Sequence, residues 1–111
     1  MQRILALFTY TPEALSGLLR EPQDRSAAVR EWTEAYGGKL VAFYHAGEGD
    51  CHGITISEVP DGFIPASGWV AEAAGHLKDI RYIQLFTPEE TIATIRNMGG
   101  EMLQPPSGDG S

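Results

Sequence analysis

The chain is short of three things. It has a single cysteine, few bases and no long apolar run. One cysteine among 111 residues makes no internal disulfide and rules out a zinc centre of several thiolates, so a reducing, cytoplasmic setting is expected. Eight bases, scattered along the chain, stand against 15 acids, for a net charge of −7. Nucleic acids and anionic membrane surfaces both need clustered Lys and Arg, so neither is an expected partner. No segment approaches the roughly 20 apolar residues of a membrane span. The opening MQRILALFTYTPE reads as a first strand rather than a leader, because its apolar core ends at Phe8 and no small-residue cleavage pattern follows.

What is present is enough apolar material, 42% of the residues, for one modest core. Ile4 to Tyr10 is a compact run of strand formers. It ends where Thr11 can cap a helix with Pro12 at its first position. After a break at REPQDR, Ala28, Val29, Trp32, Ala35 and Tyr36 recur at helical spacing until Gly37-Gly38. Lys39 to Ala46 and Cys51 to Val59 are strand-like and joined by the Gly-rich AGEGD, which predicts an antiparallel hairpin. Beyond the PDGFIP turn, Trp69, Val70, Ala73 and Leu77 share a helical face, and Ile80 to Phe86 forms a fourth strand. TPEE then supplies a capping box, Thr87 with Glu90, opening a helix through Ile92 and Ile95. The expected domain is 1–98, with 99–111 a flexible tail that has little to bury.

Strand, helix, strand, strand, helix, strand and a terminal helix is the split βαβ order of a ferredoxin-like α+β fold, βαββαβ with a four-stranded antiparallel sheet. Both faces of this sheet ask for cover. In the first and last strands Leu5, Leu7, Ile83 and Leu85 fall on one side, and Phe8, Tyr10, Ile80, Tyr82 and Phe86 on the other. In the third strand Ile54 and Ile56 oppose the small, mostly polar set Cys51, Gly53, Thr55 and Ser57. Helices cover one side; a second copy is the simplest cover for the other, which predicts a homodimer or higher homo-oligomer and a dimeric α/β barrel.

The segments FTYTPE, EPQDR, GGKLVAFYHA, EVPD and LFTPEE, in this order and spacing, resemble the GYD-domain family of small bacterial proteins. The resemblance spans Phe8 to Asn97 and implies a ferredoxin-like domain of the dimeric α/β-barrel type, with no established activity. The family's Gly-x-Tyr-Asp-like turn precedes the third strand. Counting back from EVPD places Gly49-Asp50-Cys51-His52 there, with Cys51 at the aromatic position and His52 at the acid. Counting on GEGD instead keeps Gly47 and Asp50 and puts Gly49 at the tyrosine. On either count the tyrosine is absent.

His45 and His52 flank the hairpin turn and are the candidate general acid or base, against the alternative of two polar residues at an exposed hairpin end. His45, Asp50 and His52 match no recognised metal-ligand spacing, so no metal is expected, and no motif calls for a cofactor. Tyr10, Tyr44, Tyr82, Cys51 and Gln84 are the candidate ligand contacts, with Trp32 and Trp69 as further aromatic walls. Gln84, the polar residue between Ile83 and Leu85, needs a ligand or another subunit as partner. Cys51 reads as a small, buried cysteine rather than a reactive one. A small hydrophobic or aromatic ligand is the expected partner. Three functions stay open: a cofactor-independent isomerase, cyclase or oxygenase working through a histidine; a metabolite-binding or regulatory module without turnover; and a structural oligomer.

Overall fold

The computed structural model describes residues 1–47 and 49–99, so the tail expected beyond Met98 lies, Gly99 apart, outside the described residues. Strand β1 (Gln2–Tyr10) runs into helix α1 (Pro12–Arg20), and α2 (Ser26–Ala35) follows after a short break. Strands β2 (Lys39–His45) and β3 (Gly53–Val59) form the expected hairpin. Helix α3 (Ile64–Ala73), β4 (Leu77–Leu85) and α4 (Pro88–Met98) complete the chain. The strands make one sheet in the order β2-β3-β1-β4, with every neighbouring pair antiparallel. This is the ferredoxin-like α+β arrangement, and the sheet is open, not closed.

Local chemistry sets the helix starts. Thr11 accepts from the Ala14 N–H at 3.3 Å, with Pro12 opening α1. Thr87 closes a full capping box with Glu90, the two bonds being 3.0 and 2.7 Å. The similar Thr-Pro-Glu starts thus differ: α1 has Ala14 where α4 has Glu90, so only α4 returns the second bond. Beyond the C-cap Tyr36 of α2, Gly37 turns the chain at a φ of +83°, a conformation glycine adopts without strain.

Two boundaries differ from the sequence reading. Leu77 is the first residue of β4 rather than the last of a helical face, because α3 stops at Ala73 and Gly75 turns the chain at φ +87°. Cys51 and His52 precede β3, which begins at Gly53. Strand β4 also carries an irregularity that sequence did not reveal. Leu7 pairs Arg81 and Thr9 pairs Lys78, so Asp79 and Ile80 together oppose Phe8, with Asp79 at φ +52°. The bulge restores parity, and both Leu77 and Ile80 face the helices.

That helical face holds Ile4, Phe8, Leu40 and Val59, the buried apolar residues among those described. Helix α2 packs on β2 and α3 on β4, while α4 makes no substantial packing with the other described elements. The opposite face has an apolar row running across the sheet, Ala42, Ile56, Leu5 and Ile83 in register, with Ile54 and Leu7 beside it. Ile83 is 52% exposed there and Tyr44 is 65% exposed. At the rim, Arg3 bridges Glu58 at 3.9 Å and Glu90 of α4 at 3.4 Å.

Candidate functional site

Between the helical face and helices α2 and α3 lies a cavity of about 260 Å³. Its floor is Ile4, Ala6, Phe8 and Tyr10 of β1, flanked by Thr55 and Ser57 of β3 and by Ile80 and Tyr82 of β4. Ala28, Val29 and Trp32 of α2 and Ala71 and Ala74 of α3 form the walls. The small residues of the floor explain the space. Ala6 pairs with Thr55 on one side and Tyr82 on the other, so the middle of the sheet presents a short side chain where a larger core residue would otherwise stand.

Aromatic groups close both ends. Trp32, Tyr36 and Phe63 cluster with ring centroids 5.1 to 5.8 Å apart. At the other end Tyr10 packs edge-on against Phe8 at 5.5 Å and stacks on His52 at 5.8 Å, with His45 at 6.4 Å. The Tyr10 backbone N–H donates to His52 Nδ1 at 2.9 Å. That bond makes Nδ1 the acceptor, so a neutral His52 ring carries its proton on Nε2. Both histidines lie against the Tyr10 ring, which lines the cavity, and neither lines it directly.

A second, more polar hollow of about 540 Å³ lies outside the first, against α1. Glu13, Leu18, Glu21 and Gln23 line it, and Tyr10, Arg25, Ala74 and His76 line both spaces. Arg25 and His76 carry the charge and proton-transfer capacity at this boundary, and sequence reading did not single them out. Arg25 precedes α2 and His76 sits between α3 and β4, so only tertiary packing joins them.

Of the remaining candidates, Tyr82 lines the cavity and its hydroxyl accepts from Ser67 Oγ at 3.0 Å. Trp32 lines it as well, whereas Trp69 is 76% exposed. Tyr44 lies on the open face, and Gln84 pairs with Ile4 at an exposed position outside the cavity lining. Cys51 is a half-buried free thiol in the turn, beside the residues that anchor it: Thr9 Oγ1 donates to the Asp50 carbonyl and His52 N–H to the Phe8 carbonyl. Among the described residues no three His, Cys, Asp or Glu side chains gather as a metal site, and no helix is long and apolar enough to cross a membrane.

Burial raises the pKa of Tyr10, and the Arg25 charge only partly opposes it. Burial likewise raises Tyr82, with the Ser67 bond opposing and Glu72 adding to the rise. Both hydroxyls stay protonated past their ordinary value of 10.0 and serve as donors in the neutral range. The linkage has a definite sign. The stability tied to these phenols is complete below pH 10 and lost as pH rises through their higher folded values. An ultraviolet absorbance titration should therefore show late-ionising tyrosines, one lost in Tyr10→Phe and one in Tyr82→Phe. An unchanged curve in both variants would contradict the burial of these rings.

No curated protein and no solved structure matches the chain. The GYD domain profile matches residues 5–95, a span that holds the hairpin turn and, the first residues of β1 apart, the sheet and the cavity lining. The match covers most of the chain, and the protein belongs to the GYD domain family.

Proposed function

We propose that the protein takes up a small, mainly apolar molecule in the cavity between the sheet and helices α2 and α3. The observation that carries this reading is the cavity itself: largely apolar walls, a few convergent polar groups and a volume of about 260 Å³. An engineered protein cavity of about 150 Å³ holds benzene, so the space admits more than a single ring. Filling it is the test. Ala6→Phe places a ring on the floor, on a strand that tolerates aromatics. It should abolish binding of 2-naphthamide, read by calorimetry, while the circular dichroism spectrum persists. Equal binding by parent and variant would move the site elsewhere.

On this reading the chemistry is proton transfer without an organic cofactor, in an isomerase, cyclase or oxygenase reaction. His76 and Tyr10 stand at the cavity, and His45 and His52 act as the acid or base through, or in place of, Tyr10. A second reading, binding without turnover, is favoured by one specific observation. His52 Nδ1 accepts from the Tyr10 backbone N–H, so that nitrogen orients a strand rather than activating a nucleophile.

We further propose that the chain works as a homodimer in which a second copy covers the open sheet face, closing the barrel. The apolar row Ala42, Ile56, Leu5 and Ile83 supports this, as does the unpacked α4 with exposed Ile92, Ile95 and Met98. The single cysteine suits a reducing cytoplasm.

A further inference from the structure

The boundary between the two spaces constrains the ligand more than the cavity alone does. Inside it the walls are almost wholly apolar; outside, Glu13, Glu21 and Gln23 face the hollow. A molecule that spans the boundary is therefore apolar at one end and polar at the other.

The charges at the boundary give the sign of the polar end. Arg25 is always protonated, is half-buried, and among the described residues makes no ion pair, although Glu13 and Glu21 line the same outer hollow. A guanidinium partly withdrawn from water without a carboxylate partner is an incomplete interaction. Asp24, its neighbour in sequence, is already engaged: its Oδ1 accepts from the Ser26 N–H at 2.8 Å. The Tyr10 hydroxyl, kept protonated by burial, is a second donor at the boundary. Further out, Glu13 and Glu21 repel an anion, which pins it at Arg25.

Resting on the cavity reading above, we propose that the ligand is a flat, apolar carboxylic acid, its ring in the inner cavity and its carboxylate held at the boundary by Arg25 and Tyr10. The net charge of −7 repels such an anion at long range, so this local pairing supplies the affinity.

The test compares 2-naphthoate with the isosteric, neutral 2-naphthamide, titrated calorimetrically into the full-length protein and its Arg25→Gln and Arg25→Lys variants. The parent should bind the acid about ten- to a hundredfold more tightly than the amide, the margin of a charge-assisted contact. Arg25→Gln should erase that margin by weakening the acid far more than the amide; Arg25→Lys, keeping the charge without the planar fork, should retain part of it. Equal affinities of acid and amide for the parent would overturn the acid class and leave the cavity reading standing. Equal weakening of both ligands by Arg25→Gln would also overturn it, showing that Arg25 shapes the site without reading charge. Failure of both ligands to bind the parent would overturn the cavity reading and the proposal together.

Discussion

In the proposed homodimer, Leu5→Glu is expected to leave a monomer. Leu5 stands in the apolar row of the open face, between Ile56 of β3 and Ile83 of β4, on the side of the sheet away from the cavity under α2 and α3. In a twofold assembly the same patch is buried on both protomers, so one substitution inserts two carboxylates into an apolar interface. Each uncompensated buried charge costs several kcal/mol. A combined loss of about 4 kcal/mol or more raises the dissociation constant by roughly a thousandfold. The protomer itself should survive, because Leu5 lies on the face away from the residues buried beneath the helices. Sedimentation velocity reads the outcome directly. A dimeric Leu5→Glu protein would place the interface elsewhere, and a monomeric parent would remove the barrel altogether.

The largest effect on stability is expected from Phe8→Ala. Phe8 is only 5% exposed, packs against Tyr10 and Phe43, and lies directly across the sheet from Gly53, its register partner. A methyl group at Gly53 would run into the Phe8 ring, so the glycine is the recess that the ring fills. Removing such a ring costs about 3–5 kcal/mol, a large share of the about 5–15 kcal/mol that holds a domain together. Gly53→Ala alone should cost about 1–3 kcal/mol by overpacking. The decisive comparison is the double variant. Once Phe8 is gone, Gly53→Ala should cost little or nothing, giving a clear coupling energy in urea unfolding. Strictly additive losses would show that the two residues do not share this space.

Much of the fold was legible because its signals are local. Thr11-Pro12 and Thr87 with Glu90 announce helix starts through bonds made within one turn, and the period of two along an unbroken β1–β3 register separates the two faces. Of the small, mostly polar set assigned to the third strand, Thr55 and Ser57 line the cavity, Gly53 makes room for the Phe8 ring, and Cys51 lies in the turn. Leu77 misled because an apolar residue four positions beyond Ala73 fits a helix as well as the start of a strand; only the turn at Gly75 decides. The bulge at Asp79 left no local mark, since aspartate there is not the glycine that usually signals positive φ. Within the site, Tyr10 and Tyr82 were accessible from strand parity. His45 and His52 were visible as a pair, but their convergence on Tyr10 depends on how the hairpin end folds against β1. Arg25 and His76 come from two separate connections, and no spacing in the chain brings them to mind together.

The central claim, that the space under α2 and α3 receives a small molecule within a paired sheet, is tested most directly by native mass spectrometry of the full-length protein mixed with excess 2-naphthamide. The account predicts a species of twice the chain mass carrying one amide per subunit, lost on denaturation. A bare monomer, or a dimer that takes up no amide, would contradict it.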